Sequence, residues 1–192
     1  MRVLKRETYR RVPWRNGLGE TEEIAVQTSA VPGCAFDWRI SMAPVVAPGA
    51  FSVFPDVDRI LTVIEGAGLR LTWPEDDGEA LHCLPGQPAA FAGDRTCHAA
   101  LLNGPIVDLN VMTRREGWQA EVEARDRVAP RPGTVHHLIF AMDGPVEGAV
   151  GGVPVLLDSR DTLWLAGSEV EAAEITGRWL DIQLRPAELP GI

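Results

Sequence analysis

Phe51 to Gly68, FSVFPDVDRILTVIEGAG, is the stretch whose reading decides the fold. A Pro48-Gly49 turn leads into a charged loop that contains Pro55. Six residues, Ile60 to Glu65, follow, mostly β-branched or aliphatic, and the run stops on Gly66 and Gly68. Loop, strong strand and glycine turn is the punctuation of an antiparallel all-β protein. The unusual feature lies where loop meets strand, at Asp58-Arg59. Charge set against a strand of buried character is costly unless it is paired or used.

Composition fits one large β domain or two small ones. The 192 residues are 45% hydrophobic and 23% charged, ordinary globular values that argue against disorder. Nineteen glycines and 15 prolines interrupt the chain too often for long helices. The formal charge of -9 and a pI near 4.9 lack the basic footprint that nucleic acid or an anionic membrane needs. A small anionic ligand held by a few local arginines stays compatible with that balance. Cys34, Cys83 and Cys97 give neither a disulfide framework nor a zinc knuckle and read as small buried hydrophobes of a reducing compartment. MRVLKRETYRRV at the start lacks the apolar core of a signal peptide, and no apolar run reaches membrane length. A soluble cytoplasmic protein is expected.

Outward from the opening stretch the alternation continues. Glu20–Gln27 and Trp38–Ala43 read as strands, the second with Trp38, Ile40 and Met42 on one face and Arg39 and Ser41 on the other. Leu69–Trp73, Ala80–Leu84, Ala89–Ala92 and His98–Leu102 follow. Ile106–Met112 is the cleanest alternation, with Asp108, Asn110 and Met112 opposite Val107, Leu109 and Val111. Arg114–Ala124 has a helix-like composition but alternates, and is read as a strand. RDRVAPRPG, Arg125–Gly133, is the best linker. Strands near Val135–Met142, Val153–Leu157, Thr162–Leu165, Ala172–Ile175 and Trp179–Leu184 complete a sandwich or barrel pattern.

Two units look duplicated. NGPIVDLNV from Asn103 and TGRWLDIQL from Thr176 align with a constant offset of 73 residues (181 − 108), acid on acid and amide on amide. FAGD from Phe91 aligns similarly with LAGS from Leu165. Two similar small β-barrels split near Arg125–Gly133 are therefore expected.

Motifs for chemistry are sparse. Cupin-type metal sites need two or three imidazoles and a carboxylate, commonly with an HxH step. His82, His98, His136 and His137 lack that step, and the adjacent pair points to opposite faces of a strand. No GxSxG elbow and no GK[ST] phosphate loop is present, and the carboxylate pairs lie in loops. What remains is polarity on faces that should be buried: Arg39 and Ser41, Asp108 and Asn110, and Arg59. Such groups either satisfy one another or line a pocket. Arg59 and Asn16 are the leading ligand-facing groups, since guanidinium fits a carboxylate and asparagine reads an amide or formyl group.

Three stretches taken together resemble the HutD/Ves family, bacterial bicupins often encoded beside histidine-utilisation enzymes. They are PWRNGLGET (Pro13–Thr21), DWRISMA with FSVFPDVDRILTVIEG (Asp37–Gly66), and FAGD with GPIVDLNVMTRR (Phe91–Arg115). Leu18 departs from the family, which often has a third glycine there. Against the general cupin pattern, Pro55, Val57 and Asp58-Arg59 stand where the first metal motif places histidines, and the stretch Phe91–Thr96 lies where the second would supply its own. The resemblance implies a bicupin of two jelly-roll barrels: 1–124 with lead-in strands, and 125–192, smaller and packed with the first. It implies a binder or regulator of histidine breakdown without metal or cofactor, rather than an enzyme. Its ligand would be a small anionic metabolite such as a formylated or formiminated glutamate. Carried over by motif, the ligand-binding set is Trp14, Asn16, Gly17, Gly19, Thr21, Arg39, Ser41, Asp58, Arg59, Asp94, Asp108 and Asn110. No nucleic-acid or membrane partner is expected, and a homodimer is compatible. The rival from another class is a metal-dependent cupin enzyme of isomerase, lyase or dioxygenase type, with ligands among the histidines, Cys97 and the carboxylates. A third is an interaction scaffold. The ligand-binding reading turns on Arg59, as a ligand receptor or as the partner of Asp58 or Asp108.

Overall fold

Short strands and turns alternate along the described residues, as the breaker content dictates. The computed structural model describes residues 1–14, 19–75 and 80–187. In order these carry β1 (Arg2–Leu4), β2 (Arg10–Pro13), β3 (Glu20–Gln27), β4 (Trp38–Val45), β5 (Gly49–Ala50) and β6 (Val57–Glu65). Next come β7 (Leu69–Thr72), β8 (Ala80–Cys83), β9 (Ala89–Ala92), β10 (His98–Leu101), β11 (Ile106–Arg114) and β12 (Trp118–Arg125). The chain ends with β13 (His136–Ala141), β14 (Val146–Val150), β15 (Val153–Leu157), β16 (Thr162–Leu165), β17 (Ala173–Thr176) and β18 (Trp179–Pro186). Helix among the described residues is confined to single 3-10 turns at Arg6–Thr8 and Gly167–Glu169. No described helix is long and apolar enough to cross a membrane.

The strands form two compact units. The N-terminal unit, Arg10–Gly117, has a six-stranded sheet, β2-β3-β4-β11-β6-β9, and a four-stranded sheet, β5-β10-β7-β8. Leu61 and Val63 of β6, Leu69 and Leu71 of β7, Cys83, Ala99 and Ile106 pack between them as one apolar core. The C-terminal unit comprises Met1–Tyr9 and Trp118–Ile192, with sheets β1-β16-β13-β18-β12 and β15-β14-β17. Ile139, Leu157, Leu163, Leu165, Ile175 and Trp179 belong to its core. Each unit is the jelly-roll form of a small barrel: two sheets share a core, and hydrogen bonding does not close them into one continuous cylinder among the described residues.

The compact units divide between Tyr9 and Arg10 and between Gly117 and Trp118, where the sequence reading expects one boundary at residue 124. β12 hydrogen-bonds to β18 along its length, from Trp118 opposite Pro186 to Arg125 opposite Trp179. β1 pairs with β16 across nearly the whole sequence, so the lead-in belongs in part to the second unit. Ladder pairing decides membership of a sheet, and linker composition does not report it.

The duplication appears strand for strand. The large sheets contain β4-β11-β6-β9 and β12-β18-β13-β16, and the small ones β10-β7-β8 and β17-β14-β15. Asp108 and Asp181 sit on the corresponding central strands β11 and β18. β14 escaped the sequence reading because Gly148 breaks its short pattern. The strand survives with Gly148 at φ +154°, where a Cβ would lie 2.0 Å from the Glu174 carbonyl oxygen.

Candidate functional site

The site is built on β11 and its two neighbours. Asp108 lies opposite Ala43 of β4 and Val63 of β6; Asn110 opposite Ser41 and Leu61; Met112 opposite Arg39 and Arg59. The pleat therefore puts Arg39, Ser41, Arg59, Asp108 and Asn110 on one face of three adjacent strands, together with the core residues Leu61 and Val63. β6 starts at Val57, three residues before the expected Ile60, so Arg59 stands inside the ladder rather than at the loop.

Burial makes these groups interdependent. Arg59 is 6% exposed, Asn110 8% and Asp108 2%. Arg59 Nη2 donates to Asn110 Oδ1 at 2.7 Å, and Asn110 Nδ2 donates to Asp108 Oδ1 at 3.0 Å. The asparagine thus links cation and anion through its two ends. Arg59 Nη1 has only a long contact, 3.5 Å, to the Ser52 carbonyl. Arg59 Nε is buried with no protein acceptor. Three phenyl rings surround the guanidinium, Phe51 and Phe91 at 5.1 Å and Phe54 at 5.7 Å, a cation-π enclosure that also keeps water away. Desolvation pulls the Arg59 pKa down, and the nearby Asp108 charge partly restores it. Burial pushes the Asp108 carboxyl up to about 6, against the opposing pull of Arg59 and the Asn110 hydrogen bond. Cys97, at the edge of this site, has its thiol pushed up by burial, with Arg59 acting the other way.

Local geometry explains how the loop reaches the guanidinium. Phe51 N donates to Cys97 O at 3.0 Å, Phe54 N to Gly93 O at 2.8 Å and Gly93 N to Val57 O at 2.7 Å. A side chain at Gly93 would begin 2.8 Å from Val57 O and 3.1 Å from Arg59 Cδ. Glycine there permits the loop to close over the arginine stem.

The remaining expected residues separate. Glu23 accepts from Arg39 Nε at 2.8 Å and from Arg10 Nε at 2.9 Å, an ion cluster beside Ser41, which Glu23 faces in register. Trp14, Gly19 and Thr21 fasten the β2–β3 turn: Trp14 N donates to Gly19 O and Trp14 Nε1 to Thr21 Oγ1, each at 2.9 Å. Asn16 and Gly17 lie outside the described residues. Asp58 and Asp94 do not join Arg59. Arg115 Nε donates to Asp58 Oδ1 at 2.8 Å and Arg115 Nη1 to Asp94 Oδ2 at 3.0 Å, an exposed clamp on the other side of the sheet from Arg59. That hydrogen bond holds the Asp94 carboxyl below its ordinary value.

The cupin fold raises the question of a metal, and the residues present do not fit one. Pro55 and Val57 offer no donor, Arg59 is a cation, and Asp58 and Asp94 are engaged by Arg115. His82 and His98 are exposed on strands either side of β7, opposite Arg70 and Thr72. His136 stacks on Trp118 at 5.5 Å. Among the described residues no three side chains of His, Cys, Asp or Glu converge on a common point.

The C-terminal unit holds the counterpart. Gln183 Nε2 donates to Asp181 Oδ2 at 2.7 Å, as Asn110 does to Asp108. His137, opposite Gln183 as Leu61 is opposite Asn110, bonds Asp181 Oδ1 through Nε2 at 2.5 Å. Gln183 Oε1 accepts from Arg131 N at 2.8 Å and Thr134 Oγ1 at 2.9 Å, and Nε2 also donates to Ala129 O at 3.0 Å. The amide is thus saturated by the chain's own linker. A shallow recess beside it, lined by Glu121, Arg131, Thr134, Gln183 and Arg185, has its charges paired, Arg131 with Glu121 and Glu123. Sequence reading missed the Phe51, Phe54 and Phe91 enclosure because β6–β9 register, Arg59 opposite Phe91, leaves no local signal.

Fold and site together define a bicupin whose N-terminal half encloses a buried arginine. The fold likeness extends to a cupin 2 conserved barrel domain protein from Leptotrichia buccalis, at TM-score 0.52 and 11% identity over 92% of each chain. The HutD family model matches residues 6–179, and the chain belongs to the HutD family. An uncharacterised 21.2 kDa protein in the hutC 3' region of Pseudomonas putida is 34% identical over 189 residues, covering 96% of this chain and 97% of that protein. Protein Ves of Citrobacter koseri is 39% identical over 133 residues, 68% of this chain and 67% of that one. The structure of HutD from Pseudomonas fluorescens SBW25, in a formate condition, aligns at TM-score 0.78 and 34% identity, covering 97% and 99% of the two chains.

Proposed function

We propose that the N-terminal unit binds a small carboxylate-bearing metabolite on Arg59, in a regulatory or sequestering role linked to histidine breakdown. The observation that carries this reading is the buried Nε–H of Arg59, which has no protein acceptor although the same guanidinium is anchored at Nη2. An unmet donor on a desolvated cation favours an anionic acceptor over water. Comparison within the chain supports the choice of unit, because the matching amide in the C-terminal unit already has its full set of partners. The hut-region relative and the family's association with histidine utilisation point to a pathway intermediate. A formylated or formiminated glutamate offers a carboxylate for Arg59 and an amide-like group for polar neighbours.

A thermal-shift panel of histidine-pathway metabolites tests the reading. At about 100 times its dissociation constant a true ligand adds roughly 2.7 kcal/mol, a rise on the order of 5–10 °C for a chain of this size. The expected result is a hit that Arg59→Met abolishes. Absence of any hit, or a hit that survives in the variant, would overturn the Arg59 assignment. Metal analysis of the purified protein decides against the enzyme rival or for it: stoichiometric iron, manganese or zinc would favour the latter.

A further inference from the structure

We infer that Trp73 is a second recognition residue of the same site, so that the ligand is held at two points and carries a hydrogen-bond acceptor at each end of an apolar stem. This rests on Arg59 being the receptor for the first end. Trp73 directly follows β7 and packs on the same core cluster as Leu69 and Leu71. Its indole Nε1 is shielded from solvent and has no protein acceptor. The ring meets Phe91 edge-on at 5.9 Å, and Phe91 also lies under the Arg59 guanidinium at 5.1 Å. Two residues that each carry a buried N–H without an acceptor therefore contact the same phenyl ring.

Their chemistry restricts the ligand. An indole N–H donates and never accepts, and so does a guanidinium. The complement is an oxygen at each end, a carboxylate for Arg59 and a carbonyl or second carboxylate for Trp73. Phe91 touches both residues, and Phe51 and Phe54 complete the phenyl wall around Arg59, so a hydroxyl on the stem beside these rings finds no partner among them. Arg95 rests over the outer face of the Trp73 ring at 5.6 Å and helps hold the indole in place. The class is thus a short acid with acceptors at both ends and unhydroxylated methylenes between. Trp179 also has an indole N–H without an acceptor, but it is sealed in the apolar core of the other unit. Trp73 differs in bordering the arginine enclosure.

Calorimetric titration with butyrate, glutarate and a hydroxylated glutarate, against wild type, Trp73→Phe and Arg59→Met, separates the possibilities. Glutarate is expected to bind wild type about tenfold or more tightly than butyrate or the hydroxylated acid, a discrimination typical of one buried donor left unpaired. Trp73→Phe keeps the ring and should erase the glutarate advantage while changing butyrate affinity less than about twofold. Glutarate and butyrate binding wild type equally, or Trp73→Phe weakening both alike, would overturn the two-point inference and leave Arg59 standing. No binding by any of the three acids would sink the Arg59 reading itself. Should Trp73→Phe fold poorly, the Trp73 indole N–H resonance of wild type gives the answer: a downfield shift with glutarate but not butyrate supports the inference, and no shift with bound glutarate refutes it.

Discussion

Replacing Arg59 by methionine should cost stability in a strongly pH-dependent way. In the folded chain the Asp108 carboxyl lies at about 6, raised from its ordinary 3.8 by burial. A raised acid stabilises the fold fully below the unfolded value and loses that contribution as pH rises through the folded one. For wild type the loss runs from pH 3.8 to about 6 and amounts to about 3 kcal/mol. Arg59 limits it, because its charge opposes the rise. Without that charge the carboxyl moves further up, and the loss extends beyond pH 6. At pH 5 Asp108 is largely protonated with or without Arg59, so Arg59→Met forfeits chiefly the Asn110 hydrogen bond, about 1–2 kcal/mol. At pH 8 it also leaves a buried carboxylate without its cation, and the total reaches about 3–5 kcal/mol. Urea denaturation of both proteins at pH 5 and pH 8 measures the difference. Equal losses at the two pH values would refute the coupling between Arg59 and Asp108, as would an Asp108 carboxyl that titrates near 4 by NMR in wild type.

Two further perturbations test the frame. His137→Leu removes the partner of Asp181 in the C-terminal unit, where both side chains are almost fully buried; a loss of about 3 kcal/mol or more is expected in urea denaturation at pH 7. Gly148→Ala drives a Cβ into the Glu174 carbonyl across β14 and β17, and should lower stability by about 3 kcal/mol or prevent folding, read as a fall in melting temperature or in soluble yield.

What the sequence made legible was periodicity. Alternation along Trp38–Ala43 and Ile106–Met112 assigned Arg39, Ser41, Asp108 and Asn110 to inward faces before any pairing was known, and the ladders set them side by side. The 73-residue offset likewise announced two matching central strands. Register was not legible, because the partner of a strand residue depends on turns and cores elsewhere in the chain. For that reason the pairing of Phe91 with Arg59 and of β1 with β16 leaves no local trace, and the adjacency of Asp58 and Arg59 hides that neighbouring strand residues point to opposite faces. Motif position points to Asp94 but carries no sign of its partner Arg115, which approaches from the turn after β11.

The two units show how one polar core can serve different ends. Both keep an acid two residues before an amide on the central strand, with the amide nitrogen donating to the acid at 3.0 Å in one and 2.7 Å in the other. They differ in what satisfies the amide oxygen. In the C-terminal unit it accepts from the linker's backbone and Thr134, and the acid is in hydrogen-bond contact with the neighbouring His137. Every donor and acceptor of that amide is used within the chain, so a ligand would have to displace the linker. In the N-terminal unit the amide oxygen takes a guanidinium that has further donors to offer, and the acid is held at a distance from the cation by the intervening asparagine. Asp108 therefore offsets the charge of Arg59 without occupying its free N–H. A direct Asp–Arg bond would have satisfied the donor, whereas interposing Asn110 anchors Nη2 and leaves Nε without a protein acceptor.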